Sequence, residues 1–269
     1  PSLDNELLYP DSDGKPLADN TTQSRLIFTI KGGLDALFKD RADVFIAADL
    51  LWYPVQLTPQ QIKELEEPQR QAPDVMVVLG RPKGERGSYQ QWLEDNIAPQ
   101  VAFEILSPGN TKQEMETKFN FYQKHGIEEY YLYDPKNNRL QGWQRKGKKL
   151  TAITPMEGWS SPLLGITFST SEGELVLFHP NGERFVSYVE IVEQRDHERA
   201  EKERERAEKE RERAEKERER TEKERERAEK ERERTEKEQA QMALEEERRK
   251  NKQLLARLLE LGIAPNSLS

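Results

Sequence analysis

Residues 101–134 read VAFEILSPGNTKQEMETKFNFYQKHGIEEYYLYD, and the fold is decided here. Val101–Leu106 is an apolar run of strand length, closed by the turn-forming Ser107-Pro108-Gly109-Asn110. Residues 111–125 follow a helical pattern, with Met115, Phe119 and Tyr122 on one stripe. Gly126 stands where a helix commonly ends in a left-handed residue. A second apolar run, Tyr130–Tyr133, comes next. Strand, helix and strand in succession predict a sheet with a helix packed on it.

Working outward, the same alternation continues. Thr21–Phe38 places Leu26, Ile27, Ile30, Leu34 and Leu37 at helical spacing, with Thr21 or Thr22 as the expected cap and Gly32-Gly33 as a weak point. Short apolar runs at Val44–Ala47, Leu50–Val55, Val75–Leu79, Leu140–Gln144 and Leu175–Phe178 read as further strands. Residues 1–20 are polar and turn-rich, an extended lead-in, and Gly80–Ser88 reads as an exposed loop. The expected class is α/β: a mixed sheet flanked by helices over residues 21–190.

Beyond residue 190 the composition changes. Ala-Glu-Lys-Glu-Arg-Glu-Arg recurs every seven residues, with Ala or Thr at 200, 207, 214, 221, 228 and 235. A coiled coil needs two apolar positions per heptad, and this repeat offers one small residue. Glu205 to Lys209 and Glu212 to Lys216 are instead i,i+4 pairs that support a solitary, solvated helix over 191–240. Five such heptads span roughly 50 Å at 1.5 Å per residue. In 241–269 an apolar stripe appears (Met242, Leu244, Leu254, Leu255, Leu258, Leu259, Leu261), a tip suited to pairing with a copy of itself, with a protein partner or with its own domain.

Composition narrows the chemistry. The chain has no cysteine, which excludes disulfides and thiolate zinc sites, and its three histidines are widely scattered. No run approaches the roughly 18 apolar residues of a membrane span. The first residues lack the basic and apolar regions of a signal peptide, so a soluble cytoplasmic protein is expected. The heptads from Ala200 to Arg234 balance Glu against Lys and Arg, so the rest of the chain holds the whole net charge of −8. An acidic globular part is an awkward surface for nucleic acid.

Two carboxylates stand out. Asp74 opens the apolar run Val75–Leu79, and Glu104 lies inside Val101–Leu106. An acid in an apolar strand is costly to bury unless a metal or a basic side chain neutralises it. Two carboxylates on neighbouring strands with a backbone carbonyl are an ordinary ligand set for magnesium. The plainer alternative has Glu104 pointing to solvent from a half-buried strand. Lys118 lies beside the inner stripe of its helix, where it either reaches toward Glu104 or pairs with Glu114 at i,i+4. Gly80–Gly87 is no phosphate-binding loop, since it lacks the Gly-Lys-Ser/Thr ending. The four tryptophans, Trp52, Trp92, Trp143 and Trp159, read as packing residues.

Taken together, Pro73-Asp74, Phe103-Glu104-Ile105-Leu106-Ser107-Pro108, Lys118 with Tyr122, Gly126–Tyr131 and Asp134-Pro135 resemble the Uma-two family of restriction endonucleases, within the PD-(D/E)XK nuclease superfamily. The resemblance covers roughly residues 10–185, and the charged tail resembles that of cyanobacterial members. It implies a restriction-endonuclease-like fold and a metal-dependent endonuclease acting on DNA. It also implies magnesium, with manganese as an alternative, held by Asp74, Glu104 and the Ile105 carbonyl, and Lys118 assisting the attacking water. The superfamily pattern wants Lys at position 106, where this chain has Leu, so Lys118 would substitute from the helix. Asp19 is the candidate for a further N-terminal acid. The competing expectation is a catalytically degenerate nuclease fold that binds a partner through the charged helix and its leucine-rich tip.

Overall fold

The computed structural model describes residues 7–14 and 16–262. The chain forms two compact units, Pro1–Gln194 and Arg195–Ser269. The first contains α1 (Thr21–Leu37), β1 (Val44–Ala47), β2 (Trp52–Tyr53), α2 (Pro59–Lys63), β3 (Val75–Leu79), β4 (Tyr89–Gln90), β5 (Val101–Ile105), α3 (Lys112–His125), β6 (Glu129–Asp134), β7 (Arg139–Lys146), β8 (Lys149–Ala152), β9 (Thr167–Ser169) and β10 (Val176–Phe178). The remaining helix, α4, runs Tyr188–Glu260.

Six strands form the main sheet in the order β1-β3-β5-β6-β7-β8. It is mixed: β5 and β6 are parallel, joined through α3, and every other pair is antiparallel. β9 pairs with β10, and β2 with β4, as small separate ladders.

Both faces of the sheet are covered, which is why its central strands read as unbroken apolar runs. Side chains alternate between the faces with period two. On one face Val75, Val77, Val101, Phe103 and Ile105 pack with Leu26, Ile27, Ile30 and Leu34 of α1 and with Phe168 and Leu177. On the other, Met76, Val78, Ala102 and Tyr130 pack with Tyr122 of α3 and with Trp52.

Local chemistry sets the helix ends. The cap of α1 is Asn20, one residue ahead of the expected threonines, and its side chain accepts from the Gln23 amide at 2.9 Å. Asparagine competes well for this position because its short amide oxygen reaches the first-turn N–H groups. Gly33 lets α1 approach Phe185: a Cβ there would lie 2.0 Å from the Phe185 ring. Nothing in the structure explains Gly32, which faces open space. Thr111 caps α3, and Gly126 ends it at φ 99°. The sequence misses α2, a single turn held by a Thr58–Gln61 capping box.

Ahead of α1, Tyr9 is buried against Tyr53 and Trp92. Leu50–Val55 shrinks to the two-residue β2, while β4, β8 and β9 are strands the apolar pattern does not show. Trp52, Trp92, Trp143 and Trp159 all pack inside or against the cores, as expected.

In the second unit the helix is exposed along the repeat. Its charges pair along the helix, as in Lys209–Glu205 and Lys216–Glu212 at 2.6 Å each. Leu244, Leu254, Leu255 and Leu259 are exposed; the last residues of the predicted tip, 263–269, lie outside the described residues. Among the described residues, no helix is long and apolar enough to cross a membrane.

Candidate active site

Sheet register brings the two acids together. β3 and β5 pair with Val75 opposite Phe103 and Met76 opposite Ala102. Continuing by one residue sets Asp74 opposite Glu104, on the face covered by α3. Directly opposed side chains on one face lie about 5 Å apart at Cβ. Both acids are buried, Asp74 at 7% and Glu104 at 3% exposure, so the solvent-facing alternative for Glu104 does not hold.

α3 lies over this pair. Lys118 places its ammonium 2.8 Å from Glu104 Oε2. Tyr122, one helical turn on and fully buried, donates to Glu104 Oε1. The two oxygens of one carboxylate are thus held by a charged donor and a neutral one. Lys118 chooses Glu104 over Glu114, because the buried strand acid offers a dry partner and the helix neighbour does not.

Asp74 is held differently. Its Oδ2 accepts the Ile105 N–H at 2.6 Å. The Ile105 carbonyl in turn accepts from Gln23 Nε2 at 3.0 Å, so α1 supports the same strand end. Burial, reinforced by Glu104, pushes the Asp74 pKa up to about 8. For Lys118, burial alone would lower the pKa, but Glu104 and then Asp74 more than offset it, and the value is raised. The lysine stays an ammonium. Tyr122 is raised well above its ordinary value by burial and Glu104, so it remains a neutral donor.

In front of these residues opens a cleft of about 630 Å³, whose lining includes Asp13, Asp19, Asp49, Asp74, Glu114 and Lys118. Asp19, the candidate N-terminal acid, is at this cleft, where it accepts from the Ser107 hydroxyl. Nothing in the sequence singles out Asp49. It follows β1 at φ 50° and donates its N–H to the carbonyls of Pro73, at 3.1 Å, and Asp74, at 3.3 Å. Burial and Asp13 push its pKa up to about 6. Only the β1–β3 pairing, which a linear reading does not supply, brings it beside Asp74. Gln23 was equally hidden, as one polar residue on an otherwise apolar helix face.

Other sequence signals lead elsewhere. Arg81 and Arg86 of the Gly80–Ser88 loop both grip Glu94, at 2.8 and 2.6 Å, and Arg86 lies 4.0 Å above the Phe45 ring. They are engaged within the fold. Glu129, buried on the opposite face, accepts from Tyr131, Ser161 and the Leu163 amide.

Among the described residues, no three His, Cys, Asp or Glu side chains converge as a metal cluster. Two carboxylates and a carbonyl nevertheless suit a hard cation that keeps several waters. The Ile105 carbonyl keeps a lone pair beyond its bond to Gln23, and buried acids this close need positive charge.

Comparison with known proteins gives the family. The family described as "Uma2: Putative restriction endonuclease" matches residues 13–171. This chain belongs to that family. Among solved structures, the crystal structure of a putative nuclease belonging to DUF820 from Anabaena variabilis is similar at 15% identity and a TM-score of 0.43, over 60% of this chain and 86% of that one. No curated protein matches.

Proposed function

We propose that this protein is a metal-dependent endonuclease that hydrolyses DNA phosphodiester bonds, using magnesium or manganese. The observation carrying this reading is the convergence of Asp74, Glu104 and Lys118: Asp74 and Lys118 line the cleft, and Glu104 is buried behind it in contact with Lys118. Asp74, Glu104 and the Ile105 carbonyl would hold the cation. Bound there, it lowers the pKa of a coordinated water and neutralises charge on the scissile phosphate.

The chain's own residues do the rest. Lys118 presents a fixed positive charge, which orients the attacking water and counters charge building on the phosphate. Glu104 keeps that ammonium in place, and Tyr122 keeps Glu104 in place. Asp74, which retains its proton near neutral pH, gives it up when it becomes a ligand.

The experiment is a plasmid-nicking assay in magnesium and in manganese. Wild type should nick, while Glu104→Ala and the isosteric Glu104→Gln should not, with unchanged circular dichroism. Equal nicking by wild type and variants would assign the activity to a contaminant. The acid-rich cleft favours the competing partner-binding reading, and calorimetry separates the two. No magnesium uptake by wild type, and hence none lost in Asp74→Ala, would favour it.

A further inference from the structure

We infer that a second groove, beside the acid cleft, receives the nucleotide adjoining the scissile phosphate, with Lys136 taking that nucleotide's phosphate. This rests on the phosphodiesterase reading above.

The groove measures about 480 Å³, and its lining includes Leu106, Ser107, Pro108, Asn110, Pro135 and Lys136. Asn110 lines the acid cleft as well, so the 107–110 turn is the wall between the two cavities. That wall is braced: the Ser107 N–H donates to Asn110 Oδ1 at 2.9 Å, the Asn110 N–H donates to the Ser107 carbonyl at 3.1 Å, and the Ser107 hydroxyl donates to Asp19. A strand whose reacting phosphate lies in the cleft crosses this turn to its neighbour.

Charge separates the two cavities. The cleft is rich in acids, and its Lys118 is committed to Glu104. Beyond the scissile phosphate, a polyanion therefore needs its further positive contacts outside the cleft. In the groove the acid is Asp134, and its own turn consumes it. Asp134 Oδ1 accepts the N–H groups of Lys136 and Asn137 at 3.0 and 3.3 Å, and Oδ2 accepts from Asn137 Nδ2 at 2.7 Å. The Lys136 ammonium is exposed and makes no ion pair among the described residues. Leu106, Pro108 and Pro135 supply an apolar wall for the sugar. Such a site holds the backbone and reads no base. It also gives Leu106, which stands where a lysine was expected, a place in the groove.

The test uses the full chain carrying Lys136→Ala or Lys136→Glu, with Lys148→Ala at the exposed β7–β8 tip as control. KM and kcat are measured on a fluorescent DNA substrate. Affinity for the same oligonucleotide is measured by anisotropy in a Glu104→Gln background without magnesium, from 50 to 200 mM salt. Lys136→Ala should raise KM and Kd by about threefold to tenfold, leave kcat near wild type and reduce the salt slope by about one. Lys136→Glu should do more, and Lys148→Ala nothing. If wild type cleaves while Lys136→Ala keeps its Kd and slope, the groove assignment is wrong and the nuclease reading stands. Lys136-dependent binding without cleavage would keep the groove and remove the catalytic reading. A wild type that neither binds nor cleaves would end both.

Discussion

The sheet unit and the charged helix contain ion pairs of nearly equal length and very different character. Lys118–Glu104 is 2.8 Å long with side chains 15% and 3% exposed, whereas Lys209–Glu205 is 2.6 Å long with side chains 65% and 63% exposed. In water such a pair gains little, because both charges are already solvated and screened. In the sheet the same pair sits in low dielectric, where losing one partner strands the other. A short distance does not measure the strength of a contact; its surroundings do.

Breaking the buried pair is the severest test of that contrast. Glu104→Ala should destabilise the sheet unit by about 3–5 kcal/mol in urea unfolding, since the Lys118 ammonium is left buried without its counter-charge. The double variant Glu104→Ala/Lys118→Met should recover much of that loss. If the single variant unfolds like wild type, the pair is not buried as described.

A smaller effect sharpens the comparison through pH. Asp74 has its pKa pushed from 3.8 up to about 8, so folding retains a proton that the unfolded chain releases. Stability from this group is therefore fully present below pH 3.8 and is lost as pH rises through about 8. The melting temperature of Asp74→Asn should exceed that of wild type by a gap that widens from pH 5 to 8 and then levels. A gap that narrows over this range would contradict the burial of Asp74.

At the bottom of the scale, Lys209→Ala should leave the unfolding of the whole chain unchanged within error. A 196–240 peptide should be helical by circular dichroism and monomeric by sedimentation. A tight dimer would show that the repeat depends on a partner rather than on its own i,i+4 pairs.

Much of the fold is legible in the sequence because local signals agree with tertiary ones. Val101–Ile105, the helix to His125 and the cap at Gly126 each have a reason within a few residues. What is hidden depends on partners distant in sequence. β2 and β4 are two-residue strands that exist through their ladder to each other. Asn20 outcompetes two threonines that looked equally suitable. At the candidate site, Asp74, Glu104 and Lys118 stand out because acids in apolar runs and a lysine beside a helix stripe are conspicuous. Asp49 and Gln23 do not, since sheet order and helix docking put them there.

Mounting the ammonium on α3 has a consequence for how this site tolerates change. A residue gained or lost within β5 would turn every later side chain to the opposite face and part Glu104 from Asp74. A change in the 106–111 connection lies upstream of the Thr111 cap that restarts the helix, so it leaves the spacing along α3 intact. Lys118 and Tyr122 keep their mutual angle whatever the length of that loop. The charge is thereby released from strand register, and position 106 is free to carry a leucine.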